Sequence, residues 1–394
     1  MTQEKKTIAL YPFHHKRHSV YNSTIDFLSK QYTLLYNPVQ NKQSEWFVKL
    51  SRSPRARAFY HKMIRPLFSL RDARTILSKE EDAGGEYDLI FSANEIPPGE
   101  KPYVIEVENV ISLSENDYYR LDKEKIRKEF SKERCKAIIC WNDIAYQSLV
   151  KTIDCSSFIR KIYIIPFAIR STPVQKNFSK KEVRLLFVSS INNPRDFEQK
   201  GGIIALEVYA RLVKKYDNLR FIIRAHIPDW IQRKYEYLQG LIFQRKFLSQ
   251  DAMNKLFIES DLLLEPIPGI QLLLECMNFA VPAVVFDFWM IPEMVIDGKN
   301  GYTVDCSSLL GSQKNMADYL RNHHLRYLQL YKKTFDEAII SEYALEIENL
   351  IVDPLLRKRM SKATKSLVNA LGKYSLEKRN IHLLEVFNGA LNST

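Results

Sequence analysis

The sequence predicts an α/β protein with two parallel-sheet domains in tandem, on three observations. Near the start, apolar runs of strand length alternate with helical periodicity: TIALYPF (7–13), VYNSTIDFLSKQY (20–32), YTLLYNP (32–38). The same alternation restarts at VRLLFVSS (183–190), beyond the polar, proline-bearing segment STPVQKNFSKKE (171–182). After DLLL (261–264), the stretch EPIPGIQLLLECMNFAVPAVVFDFWMIPEMVIDGKNGY (265–302) reads as glycine loop, helix, buried strand and glycine turn. Strand, helix, strand in that rhythm gives parallel sheets with right-handed crossovers. A chain of 394 residues is long enough for two ordinary cores. We place the domains at 1–170 and 183–372, with a linker at 171–182.

Taken in order, the first domain continues through the strands YDLIFSANE (87–95) and KPYVIEVEN (101–109). RCKAIICWNDIAYQSLVK (134–151) is a strand followed by a helix, and KIYIIPFAI (161–169) holds a last strand. Between the first strand and helix lies HHKRHS (14–19), placing His14, His15, Lys16 and Arg17 at a helix N-terminus. Such a βα loop is where ligands bind in open sheets, so one reading is a cationic grip on an anionic acceptor. A solvated basic turn is the other. Residues 45–77 interleave Lys49, Arg52, Arg55, Arg57, Lys62, Arg65, Arg71 and Arg74 with Trp46, Phe47, Phe59, Tyr60, Leu67 and Phe68. That pattern suits an anionic membrane surface or solvated structural helices, and less well single-stranded nucleic acid.

In the second domain the loop INNPRDFEQKGG (191–202) precedes the helix IIALEVYARLVKKY (203–216). Arg195, Lys200 and Gly201 sit on it, and such cations on a glycine loop either grip an anion or stay solvated. LRFIIRA (219–225) is a strand whose end carries Arg224 and His226, where they could line a nucleotide crevice, and SQDAMNKLFIESD (249–261) is a short helix. Pro266, Pro268 and Gly269 then break regular structure, so the N–H groups of Gly269, Ile270, Gln271 and Leu272 open a helix with a positive dipole end, which suits a diphosphate. Glu275, one turn or more along that helix, is placed to accept from ribose hydroxyls. In the tail, Pro354 starts an amphipathic helical region.

Composition excludes several classes. Hydrophobic content of 45% and aromatic content of 12% are globular values. The longest apolar candidate, 262–296, is broken by acids, prolines and a glycine, so no run crosses a bilayer. MTQEKKTIALYPF lacks the apolar core of a signal peptide, and we expect a cytoplasmic protein. Cys135, Cys140, Cys155, Cys276 and Cys306 have no metal-ligand spacing, which points to thiols in a reducing compartment and to no metal. A net charge of +12 attracts nucleic acid, anionic lipid or phosphorylated substrates, or serves only solubility and steering.

The 265–302 stretch resembles the donor-site signature of glycosyltransferase family 4, which has the two-domain GT-B fold. Glu275, Pro282, Val284, Val285, Pro292, Glu293, Asp297, Gly298, Asn300 and Gly301 fall in place. So do Asp196, Phe197, Lys200, Gly201 and Gly202 of the DF-x-x-KGG loop, with Arg195 five residues before Lys200. The family's first acid belongs at 267, where this chain has Ile267; Glu265 is the nearest acid, two residues early. The family's His near the end of the fourth strand is replaced by Glu108, a candidate for contact with sugar or acceptor.

The resemblance implies two Rossmann-like domains facing across a cleft, with a last helix (373–394) returning to the first domain. It implies transfer of a sugar from a nucleoside-diphosphate sugar, a UDP- or GDP-sugar, with retention of configuration and without a metal. Lys200 and Arg195 would stabilise the leaving diphosphate. Gly269, Ile270, Gln271, Leu272, Glu265, Gly201, Arg224 and His226 would line the donor, and Glu275 would hold its ribose. The acceptor would be a glycan or a lipid-linked or phosphorylated sugar, with no nucleic acid partner; the charge pattern of 45–77 leaves a peripheral place on the inner membrane face open beside the structural one. The alternative is a GT-B shell with an impaired site, acting as a partner or scaffold.

Overall fold

The computed structural model describes residues 5–11, 21–35, 86–178, 181–193, 195–311, 316–321, 327–331 and 335–393. His14, His15, Lys16, Arg17 and the 45–77 segment lie outside the described residues.

Two six-stranded parallel sheets carry the chain. The first has the order β2-β1-β3-β4-β5-β6, from β1 (Thr7–Tyr11), β2 (Thr33–Leu35), β3 (Leu89–Ala93), β4 (Tyr103–Val107), β5 (Cys135–Cys140) and β6 (Ile162–Ile164). The second has the order β12-β11-β10-β7-β8-β9. Its strands are β7 (Val183–Val188), β8 (Leu219–Arg224), β9 (Leu241–Gln244), β10 (Leu262–Leu264), β11 (Ala283–Phe286) and β12 (Gly301–Val304). Central strands such as β4, β10 and β11 are buried at every position. That is why they read as unbroken apolar runs: helices cover both faces of a parallel sheet. The sequence reading misses the short strands β9 and β12, both at edges, where a single neighbour suffices and no apolar run is needed.

The first sheet is accompanied by α1 (Asn22–Gln31), α2 (Lys123–Ser131) and α3 (Asp143–Val150). The second is accompanied by α4 (Asp196–Gln199), α5 (Gly202–Leu212), α6 (Asp229–Tyr235), α7 (Gln250–Glu259), α8 (Ile270–Asn278) and α9 (Ile291–Met294). The chain closes with α10 (Glu337–Val352), α11 (Pro354–Ser366) and α12 (Leu376–Asn392). Asp353 caps α11 by accepting the Leu355 and Leu356 N–H groups, each at 2.9 Å, ahead of the Pro354 that opens it.

The chain divides into two compact units, one of residues 1–106, 132–137 and 388–394, the other of 107–131 and 138–387. The last residues of α12 thus belong with the N-terminal strands, where Tyr32 Oη donates to Asn388 Oδ1 at 2.8 Å. All five cysteines are buried thiols and none forms a disulfide. Among the described residues no helix is long and apolar enough to cross a membrane.

Candidate active site at the switch point of the second sheet

Strand order reverses between β7 and β10: the chain steps outward through β8 and β9, then returns to the other flank of β7. At such a switch point the two loops leaving the carboxyl ends diverge, and the gap between them is where open α/β sheets hold ligands. Leu185 pairs with Leu262 and Leu186 with Leu263, so β7 and β10 end side by side. The loop after β7 is 189–201, and the loop after β10 is 265–269.

The loop after β7 is tied back to its own strand. Asp196 Oδ2 accepts the Ser190 N–H at 2.7 Å, and the short helix α4 buries Phe197. Lys200 ends α4, and Gly201 turns the chain with a left-handed φ of 80°. A Cβ on Gly201 would lie 2.7 Å from Pro266 Cβ and Cγ, and one on Gly202 would lie 2.3 Å from the Phe197 ring. The glycines therefore permit a close approach of this loop to the proline turn after β10. That approach is sealed by Ile267, whose N–H donates to the Lys200 carbonyl at 3.3 Å.

The result is a cation at a helix start. Lys200 Nζ lies 3.5 Å from where a Cβ on Gly269 would stand. Gly269 is the residue before α8, and no side chain caps that helix. The N–H groups of its first turn have no intrahelical partner, so they and the helix dipole add to the Lys200 charge. Glu275 is half-buried one turn on, where it accepts from Gln271 Nε2 at 3.0 Å. Burial raises its carboxyl above the usual range, and the Gln271 hydrogen bond opposes the rise. Ile270, Gln271 and Leu272 are half-buried along the same turn, while Leu273 and Leu274 enter the core.

Glu265 departs from expectation. Its side chain is fully buried and presents no surface to a donor. Oε2 accepts the Val188 N–H at 3.0 Å, bridging the ends of β10 and β7, and Oε1 is buried with no hydrogen-bond partner among the described residues. Burial pushes this carboxyl up to about 8; Lys200 and the Val188 N–H pull it down, and Asp196 pushes it further up. The turn through Pro266 and Pro268 therefore does not carry Glu265 to the place of Ile267. Ile267 is itself only 5% exposed.

Other expected residues fall around this centre. Arg195 precedes α4 with an exposed side chain. Arg224 ends β8, donates from Nη1 to the Ser189 carbonyl at 3.0 Å and lies 5.9 Å from the Phe247 ring centroid. His226 is half-buried, and its backbone N–H donates to the Ser190 carbonyl at 3.2 Å. Glu108 follows β4, half-buried, and desolvation raises its carboxyl.

Two features escape a reading of the sequence. Glu293 accepts the Asp143 N–H at 2.9 Å and the Ile144 N–H at 2.7 Å, capping α3 alongside Asn142, which takes the Ala145 N–H at 2.8 Å. Its place in the PEM motif is the available signal, and by itself that motif indicates only a short helix. Trp289 stands at φ 55° after β11 and stacks on Tyr319 with centroids 4.6 Å apart. Nothing in a tryptophan predicts a left-handed conformation. The asparagine turn after α9 matches its motif: Asn300 Oδ1 accepts the Ile296 N–H at 2.7 Å, and its amide donates to the Met294 carbonyl at 2.9 Å.

Residues 182–322 match the family model described as Glycosyl transferases group 1. Among solved structures, Anabaena Alr3699/HepE in complex with UDP and glucose superposes with a TM-score of 0.54 at 12% identity, covering 98% of this chain and all of the other. The fold is GT-B. Sucrose-phosphate synthase from Thermosynechococcus elongatus gives a TM-score of 0.53 at 11% identity over 78% of this chain and 75% of that one. TarM of S. aureus gives 0.50 at 15% identity over 80% of this chain, which spans 57% of TarM. No curated protein matches the chain in sequence. The family model covers both loops of the GT-B switch point, from before β7 to beyond β12.

Proposed function

We propose that this chain is a glycosyltransferase that moves a sugar from a nucleoside-diphosphate sugar, with retention of configuration, to a glycan or a lipid-linked or phosphorylated acceptor. One observation carries the reading: the Lys200 ammonium reaches the uncapped start of α8, inside the segment that matches the glycosyltransferase model. Two unlike sources of positive charge, an ammonium and a helix end, converge where a departing diphosphate needs them. Arg195 adds an exposed cation from the same loop. Glu275 takes the ribose, and Glu108 contacts the sugar or its acceptor. UDP is the leading nucleotide, since HepE is named as a complex with UDP and glucose. The described groups supply the charge without a metal, and the basic, aromatic composition of 45–77 suits an anionic membrane surface.

A panel of UDP- and GDP-sugars followed by thermal shift identifies the donor, because a ligand that binds only the folded state raises its melting temperature by mass action. Slow release of nucleoside diphosphate from that donor is the expected activity, and Lys200→Ala should lower it roughly 10²–10³-fold. Failure of every donor to stabilise or turn over would refute the reading. A second reading, a shell that binds donor without turnover, is favoured by buried Ile267 standing where the resemblance expects an acid. Stabilisation without any nucleotide release, unchanged by Lys200→Ala, would select it.

A further inference from the structure

The donor reading leaves Glu265 without a task. A fully buried carboxyl with one oxygen on the Val188 N–H and the other unpartnered is a costly thing to keep beneath a phosphate site. The groups that face it come from four elements. Lys200 and Asp196 come from α4, Cys276 from α8, Tyr343 from α10 and the Val188 N–H from β7. Cys276 and Tyr343 are neutral, since burial raises both well above their ordinary values. Tyr343 moreover donates its hydroxyl to the Val284 carbonyl. Asp196 is already engaged with the Ser190 N–H. Lys200 is the cation of the group, and the Ile267 N–H to Lys200 carbonyl bond holds its backbone against the segment that carries Glu265.

Among the described residues, an ionised Glu265 thus has the Lys200 ammonium to neutralise it, the same ammonium that stands at the start of α8. A diphosphate there would compete for it, and two anions on one cation in a buried setting are strongly unfavourable. Resting on the donor reading, we infer that Glu265 is a positioning residue for Lys200. It holds a proton when the diphosphate is bound and, once ionised, draws the ammonium off the phosphate site, so that donor binding takes up a proton from solvent. The carboxyl is poised for this, with burial pushing it up to about 8. A merely structural acid, neutral or ionised throughout, would leave binding indifferent to pH.

Isothermal titration of the full chain with UDP-glucose, and with GDP-mannose, between pH 6.5 and 8.5 tests this in two buffers of different ionisation enthalpy. Linkage to a group titrating near 8 predicts up to about four-fold weaker binding at pH 8.5 than at pH 7, and uptake of about half a proton at pH 8. Glu265→Gln keeps an acceptor for the Val188 N–H and has no proton to exchange, so its affinity should be flat over the range. Flat wild-type affinity with no proton uptake overturns the inference while leaving the donor reading intact. If the variant does not fold, wild-type proton uptake alone decides. Absence of binding by either nucleotide sugar at every pH overturns the donor reading and this inference with it.

Discussion

Replacing Glu265 with glutamine tests the buried acid through stability alone, with no ligand. An ordinary glutamate titrates near 4.5, whereas in the fold Glu265 is raised to about 8. Between those values the folded protein keeps a proton that the unfolded chain has released, so raising pH removes stability across that window. Each pH unit within it is worth about 1.4 kcal/mol, and the integrated loss from pH 5 to pH 8 is about 3.5 kcal/mol. Glutamine has the same shape and no titration. The stability of wild type relative to Glu265→Gln should therefore fall by about 3.5 kcal/mol over that range, on the order of 7–14 °C in relative melting temperature for a domain of this size. Differential scanning calorimetry of both proteins at pH 5, 6, 7 and 8 reads it directly. A melting difference that does not change with pH would refute the reasoning. A wild type that gains on the variant as pH rises would show an ionised Glu265 held by Lys200 as a salt bridge.

Gly201→Ala should disturb the donor site more than the fold. The residue stands at φ 80° and its Cβ would meet Pro266 at 2.7 Å. The left-handed strain alone costs about 1–2 kcal/mol, and relief by moving the loop carries Lys200 away from α8. Donor affinity in a titration should drop while the melting temperature falls only a few degrees; unchanged affinity would count against the Lys200 placement. Glu293→Ala removes the acceptor of two N–H groups at the start of α3. We expect a loss of about 1–2 kcal/mol in calorimetry, and an unchanged melting temperature would show that this cap contributes nothing.

The fold is legible in the sequence wherever burial on both faces forces a continuous apolar run, as in AVVF (283–286) or VRLLFV (183–188). It is illegible where structure depends on partners distant in the chain. Strand β9, LIFQ, is partly exposed at an edge, and its place is set by pairing with β8 rather than by its own pattern. The end of α8 shows the same limit. Pro282 marks the boundary, but the chain turns earlier, at Ala280 with φ 54°, where the Val281 N–H reaches back to the Cys276 carbonyl at 2.8 Å. In the site, local motifs single out both Lys200 and Gly269, and their meeting follows from strand order. The burial of Glu265 is beyond reach, because an acid beside two prolines looks like a loop residue until β7 is placed next to it.

That placement changes what the departure at Ile267 means. Along the chain, Ile267 is an acid missing and Glu265 an acid nearby. In space, Ile267 fills an apolar position, and its N–H fastens the Lys200 loop. Glu265 lies beneath the turn, joined to the end of β7. Among the described residues the turn therefore presents N–H groups and the Lys200 ammonium, with the Glu265 acid buried below it. Such an arrangement raises the positive potential at the start of α8 at neutral pH and lowers it when the acid ionises. Introducing an acid there with Ile267→Glu would put a carboxyl at a position only 5% exposed, next to Lys200 and two residues from Glu265. Two neighbouring glutamates would then compete for the Lys200 ammonium.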